Sequence, residues 1–185
     1  MWEYRYTDEL YHHGVKGMRW GVRRVEKKFA KKLSRAGRVA GMGAYEREQG
    51  SIAVRKHENN ARILDKSARQ FEKNGQYFRA EAARRAASAL RTRGANIKAQ
   101  HDETAAKYEL KADKLQQKAT AFATKKKVNA GKDVVNSILK NSKQKGYEQR
   151  KSRVEYNKEA DMRERLGDRN YDTYSKIRDT VRGTR

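Results

Sequence analysis

Apolar residues recur along this chain at spacings of three and four, the interval of a helix face. Val22, Val25, Phe29, Leu33, Ala36 and Ala40 fall within an arc of roughly 80° at 100° per residue, which predicts an amphipathic helix over 22–40. Lys27, Lys28, Lys31, Lys32, Arg35 and Arg38 occupy the remaining circumference, so the face away from the seam is cationic. Gly41-Met42-Gly43 predicts its end, because glycine is costly inside a helix and comfortable just beyond one. A second seam, Val54, His57, Ala61, Leu64, Ala68 and Phe71, predicts a helix from about 44 to 73, and Asn74-Gly75 a stop and turn.

A further helix is expected from Gln76 to about Arg93 with Ala80, Ala83, Ala87 and Leu90 on one stripe, and Gly94 either bends it or ends it. Small residues on that stripe let two helices approach closely, so the pair reads as an antiparallel hairpin. A third seam follows at Ala105, Tyr108, Ala112, Leu115, Ala119 and Phe122, then a turn signal at Asn129 and Gly131, then a short apolar helix with Val134, Val135, Ile138 and Leu139. ARILDKSARQF and ADKLQQKATAF share the frame A-x-x-L-x-x-x-A-x-x-F fifty-one residues apart. Duplication of a helical hairpin, with repeats over 51–98 and 102–142, and convergence of two heptad seams both account for it. Val154, Met162 and Leu166 make a sparse stripe that Gly167 interrupts, and Tyr171, Tyr174, Ile177 and Val181 form a last amphipathic segment.

The expected fold is therefore all-α: extended helical hairpins in a coiled-coil-like bundle. It divides into an irregular N-terminal arm (1–21), a basic amphipathic helix (22–40), a hairpin body (44–145) and a polar helical tail (146–185). Alanines dominate the seams and bury little apolar area each, so the core is modest. Partner helices or self-association through the seams would complete it, which leaves homo-oligomerisation open.

Charge narrows the function. The 185 residues hold 46 Lys and Arg against 23 Asp and Glu, a formal net charge of +23, at a mean hydropathy of −1.20. An excess of this size favours polyanionic partners: nucleic acid, anionic lipid or an acidic protein surface. The chain has no Cys, which removes disulfides, thiolate metal sites and cysteine nucleophiles, and no Pro, which permits long uninterrupted helices. No apolar run reaches the ~20 residues that cross a bilayer, and MWEYRYTDELYHH lacks the apolar stretch of a secretory signal.

Catalytic patterns are missing. Adjacent His12 and His13 would point to opposite sides of an extended segment, and His57 and His101 have no carboxylate at the spacing of a zinc helix. Gly14, Gly17 and Gly21 lack the Gly-Lys-Ser/Thr order of a phosphate loop. The expectation is a protein without enzymatic activity, metal or cofactor. The six cations of 27–38 suit a phosphate backbone, with non-specific and salt-dependent binding.

Residues 11–24, YHHGVKGMRWGVRR, stand apart. The stretch closely resembles an N-terminal element, His-His-Gly-x-x-Gly-Met-Lys-Trp-Gly-Val-Arg-Arg, found on structural and head-associated proteins of tailed phages and prophages. The resemblance covers His12 to Arg24; Arg19 stands where Lys is usual, and the chain continues into VEKKFAKKL where the family continues into Tyr-Gln-Asn. It implies a docking peptide made of His12, His13, Gly14, Gly17, Met18, Arg19, Trp20, Gly21, Arg23 and Arg24. Trp20 and Met18 supply bulky anchors, and the arginines supply forked, charge-assisted bonds. The alternative is that Trp20 and Met18 fold back on the chain's own helices. By this resemblance the chain is a phage structural protein, made in the host cytoplasm and carried into the virion. Its expected partners are head or other virion proteins, with DNA contacted non-specifically. A capsid scaffold or assembly chaperone, and a host-acting factor binding nucleic acid or membrane, are the other readings.

Overall fold

A computed structural model describes the backbone of residues 20–128, 130–167, 172–177 and 179, and side chains from Arg24 onward. The fold is all-α, with no strand among the described residues. Three long helices follow in order: α1 (Trp20–Lys73), α2 (Tyr77–Lys125) and α3 (Lys132–Leu166). Among the described residues, those up to Tyr147 form one compact unit and those from Glu148 onward a second.

Glycine is where the pattern and the structure part. The break expected at Gly41-Met42-Gly43 does not occur, and α2 does not end at Gly94; α1, α2 and α3 continue through Gly41, Gly94 and Gly146 respectively. The basic stretch 22–40 and the seam of 44–73 are one 54-residue helix, about 80 Å long at 1.5 Å per residue. Each of these glycines is buried against another helix. A glycine inside a helix costs on the order of 1 kcal/mol relative to alanine, and close helix packing outweighs that here. A Cβ on Gly41 would lie 1.9 Å from the Lys143 carbonyl oxygen, and one on Gly146 would lie 1.9 Å from the Arg38 carbonyl oxygen. Backbone therefore meets backbone where α1 crosses α3. The arm expected through residue 21 is also shorter, since α1 begins at Trp20: extending a helix by one residue is cheap once it is nucleated.

α1 and α2 form the antiparallel hairpin, joined at Asn74–Gln76 with Gly75 at φ +70. The turn satisfies its own backbone: Asn74, Gly75 and Gln76 amides donate to carbonyls in the last turn of α1. α3 runs back alongside α1 as far as Tyr147. Ser142 donates to Ser34 at 2.9 Å, and Tyr147 packs edge-on to Tyr45 at 5.3 Å between ring centroids. The Tyr147 hydroxyl donates to Glu48, and this bond to a carboxylate is the main reason the phenol is pushed up to about 12.

The core is thin, as the alanine seams predict. Ala61, Ala68, Ala80, Ala87, Ala105, Ala112 and Ala119 are buried, and Leu33 is the one large side chain that is fully so among the described residues. Larger apolar groups gather where α1 begins and α2 ends: Phe29 and Leu33 pack with Ala119, flanked by Phe122, Val128, Val135, Ile138 and Leu139. Beyond Tyr147, α3 continues as a polar helix to Leu166 and stops before Gly167 at φ +73, where the pattern predicts an interruption; residues 172–177 are helical again.

The hairpin seam holds a relation that the fifty-one-residue frame conceals. That frame marks buried Ala61, Ala68, Ala112 and Ala119 and half-buried Phe71 and Phe122, in the last turns before each connection. The contacts across the hairpin instead follow a shift of 44 positions, as from Gly50 to Gly94. Arg47, Gly50, His57, Glu58, Ala61, Asp65 and Ala68 correspond to Arg91, Gly94, His101, Asp102, Ala105, Glu109 and Ala112. Their interactions are reciprocal. A Cβ on Gly50 would lie 3.1 Å from the His101 Cβ, and one on Gly94 would lie 3.0 Å from the His57 Cβ. Arg47 pairs with Glu109 at 2.6 Å, and Arg91 pairs with Asp65 at 2.5 Å. The middle of the hairpin thus has a local twofold relation between α1 and α2.

The relation is incomplete: Arg91 also pairs with Glu58 at 3.0 Å, whereas Asp102 pairs with Lys98, and a further departure has a measurable consequence. His101 Nδ1 lies 2.7 Å from Glu46, a carboxylate only 3% exposed. The counterpart of Glu46 is Leu90, so His57 Nδ1 is buried without a hydrogen-bond partner. Losing one partner of a buried polar group costs about 1–3 kcal/mol, whereas removing an unsatisfied group is nearly free. His101→Leu is therefore expected to destabilise by about 1–3 kcal/mol, while His57→Leu leaves stability unchanged or raises it. Urea denaturation of the two variants checks this, and equal losses would contradict the broken relation.

Candidate polyanion-binding surface

The first turns of α1 carry Arg24, Lys27, Lys28, Lys31, Lys32, Arg35 and Arg38 against a single acid, Glu26. They form a surface because Phe29, Leu33 and Ala36 turn the opposite face inward. Lys27, Lys28, Lys31, Lys32 and Arg35 are exposed; Arg38 is half-buried beside Gly146. None of these six makes an ion pair with a described residue. Lys32 instead extends over the Phe122 ring at 5.3 Å from its centroid, a cation–π contact that fixes its stem and leaves the ammonium at the surface.

The shaft of the hairpin contrasts with this. There the acids are matched by cations: Arg84 with Glu72 at 2.7 Å, Arg91 with Glu58 at 3.0 Å, and the two reciprocal arginine pairs. Arg91, bonded first to Asp65 and then to Glu58, has its pKa raised, and Arg91 and Arg62 hold the Glu58 carboxyl below its ordinary value. Exposed pairs of this kind add little stability. They do cancel charge locally, which leaves the start of α1 with the uncancelled excess.

Antiparallel pairing enlarges that excess. The apolar cluster of Phe29, Ala119, Phe122 and Val128 brings the end of α2 and its connection to α3 beside the start of α1. Exposed Lys125, Lys126, Lys127 and Lys132 arrive with them. Sequence reasoning on one helix missed these four. The run Lys125-Lys126-Lys127 was visible, but only the return of the chain sets it beside Lys27 and Lys28. An open apolar cleft lined by Phe29, Val128, Val134 and Ile138 lies between the two sets.

Multiple exposed cations on two adjoining segments can neutralise several phosphates or carboxylates at once, without reading a sequence. No group of metal-ligating residues occurs among the described residues, and no described helix is long and apolar enough to cross a membrane.

Of the expected docking residues, His12, His13, Gly14, Gly17, Met18 and Arg19 lie outside the described residues. The backbone of Trp20, Gly21 and Arg23 belongs to the first turn of α1, and Arg24 is exposed on the next. The expected docking element thus runs directly into the cationic helix with no intervening linker.

Residues 4–27 match a family of unknown function, DUF7211. The match takes in the whole of His12–Arg24 and ends inside the cationic stretch. Neither the curated proteins nor the solved structures give a match to this chain.

Proposed function

We propose that this chain is a non-enzymatic structural protein of a tailed-phage particle, recruited through residues 12–24 and resting its basic end on packaged nucleic acid or on an acidic shell surface. The observation that supports it most is the concentration of exposed cations that make no ion pair with a described residue, around Lys27–Arg35, directly after the element His12–Arg24 in the chain, and around Lys125–Lys132. The element supplies the address. Its Trp20 and arginines are of the kind that dominate small interfaces, and the cationic end supplies adhesion that needs no sequence specificity. The helical body holds the two together.

The test removes the address and keeps the body. Deleting residues 12–24, or making Trp20→Ala, is expected to abolish co-purification with particles while leaving helicity by circular dichroism intact. Mass spectrometry of mature particles is expected to find the unaltered protein. Its absence there would favour a scaffold that leaves during assembly. Unfolding of the Trp20→Ala variant would place the indole in the chain's own core and sink the docking role.

A further inference from the structure

The loop end of the α1–α2 hairpin, opposite the cationic end, carries an apolar feature that the proposed function leaves unused. Tyr77 and Phe78 open α2 and are 71% and 86% exposed. Folding buries little of either ring in that position. Two aromatic rings side by side in water at the extremity of a hairpin await a less polar surrounding.

Three neighbouring features say what that surrounding is. First, the turn itself, Asn74-Gly75-Gln76, bears no charge, and its three amides are all bonded to carbonyls of α1. The turn's own donors are thus satisfied, and only the amides of Tyr77, Phe78 and Arg79, in the uncapped first turn of α2, still need the water that remains at headgroup depth. Second, exposed cations flank the tip within about two helical turns: Lys66, Arg69 and Lys73 on α1, and Arg79 on α2. The acids among them are neutralised, Glu72 by Arg84 at 2.7 Å and Glu81 by Arg85 at 2.5 Å. Third, the aromatic pair stands at the outer end of the hairpin, 71% and 86% exposed, whereas single-stranded nucleic acid is held by a groove that follows its backbone past the stacking rings.

An uncharged turn, an aromatic wedge beside it, and long cationic side chains at and behind the level of the wedge suit an anionic bilayer surface. There aromatic rings settle at headgroup depth, while lysine and arginine meet the phosphates above. We infer that the hairpin tip is a peripheral membrane-insertion site for anionic lipid, with Tyr77 and Phe78 as the wedge and Lys66, Arg69, Lys73 and Arg79 as the cations that flank it. The site is independent of the basic end, so the body can bridge a bilayer and a polyanion.

The chain has no cysteine, so one introduced thiol is unique. Asn74→Cys, labelled with an environment-sensitive fluorophore on the otherwise unaltered full chain, reports the tip. Ser88→Cys, labelled in the same way, reports the shaft. With vesicles of phosphatidylglycerol and phosphatidylcholine, the tip label is expected to shift to the blue and to be quenched by brominated lipid, and the shaft label to do neither. Tyr77→Ser with Phe78→Ser is expected to weaken the vesicle binding that survives 0.5 M salt by roughly ten- to a hundredfold, the factor set by removing two buried rings. Circular dichroism confirms that the helices persist in that variant. A tip label that stays aqueous on bound protein overturns the site, because binding then runs through cations elsewhere. An unchanged double variant, an absence of binding, or an equal blue shift with single-stranded DNA also overturns it. None of these outcomes bears on particle recruitment through residues 12–24.

Discussion

Replacing Gly146 by alanine is expected to destabilise the protein by roughly 2–4 kcal/mol, although the same change in an exposed helix would stabilise it. Alanine is favoured over glycine inside a helix by about 1 kcal/mol, so propensity alone predicts a gain. Against it stands geometry: the new methyl would lie 1.9 Å from the Arg38 carbonyl oxygen and 2.6 Å from the Arg38 Cα. These are backbone atoms of another helix, and no rotamer change relieves the clash. Only separation of α3 from α1 does, with loss of the packing around Ser34–Ser142 and Tyr45–Tyr147. Overpacking a well-fitted contact costs typically 1–3 kcal/mol and sometimes more, and both faces of this crossing are glycine, since Gly41 meets Lys143 as closely. Gly43→Ala is the matched control. Its nearest neighbours are 3.3 Å away, so a shift of tenths of an ångström suffices and the helical gain offsets the crowding. Thermal melts followed by circular dichroism should show Gly146→Ala lowered by about 5–15 °C and Gly43→Ala nearly unchanged. A rise in melting temperature for Gly146→Ala would mean that the backbones are not in contact.

That contrast also explains which parts of the fold could be read from the residues. The seams were legible because helical periodicity survives in alanine: Ala61, Ala68, Ala112 and Ala119 were placed inward by spacing alone, and they are buried. The lengths of the helices were not. A glycine that ends a helix and a glycine that admits a neighbouring backbone look identical in a single sequence, because the difference lies in a partner many positions away. Gly75 and Gly167 do punctuate, at φ +70 and +73. Gly41, Gly94 and Gly146 do not. A local sign marks one of the three. Gly94 occupies the seam stripe of α2, seven residues beyond Ala87, whereas Gly75 adjoins Asn74 and lies among polar residues. Glycine in phase with an alanine stripe belongs to the interface.

The candidate surface was half legible for a similar reason. Lys27, Lys28, Lys31 and Arg35 lie on one helix, so their common face follows from periodicity. Lys125–Lys127 and Lys132 join them only through the antiparallel return. The reciprocal pattern of Arg47, Gly50 and His57 with Arg91, Gly94 and His101 was equally present in the sequence. The fifty-one-residue frame is written in apolar letters. The 44-position relation is written in an arginine, a glycine, a histidine and acids, and contacts give it meaning.

Changing Lys27, Lys28, Lys31 and Arg35 together to glutamine is expected to weaken binding to duplex DNA at about 0.1 M salt by on the order of a thousandfold. These four are exposed and make no ion pair with a described residue; Lys32 is left in place because it packs over Phe122. Each phosphate neutralised contributes about 0.9 to the slope of log K against log salt. Removing four contacts should flatten that slope by roughly 3 to 4, a change in shape that a simple loss of folded protein cannot imitate. Glutamine retains the helix and much of the stem, so helicity should hold. The decisive comparison is charge-matched: Lys145, Lys151, Arg153 and Lys158 changed to glutamine remove the same four charges elsewhere. If DNA responds to net charge alone, both quadruple variants lose affinity equally, and the surface has no special standing. If the end of the bundle is the contact, the second variant keeps most of its affinity and its slope. Lys125, Lys126 and Lys127 changed to glutamine should then add their loss to the first variant's in log units, because separate phosphates release their counterions independently. That additivity would show that α1 and the return of α2 face the same polyanion.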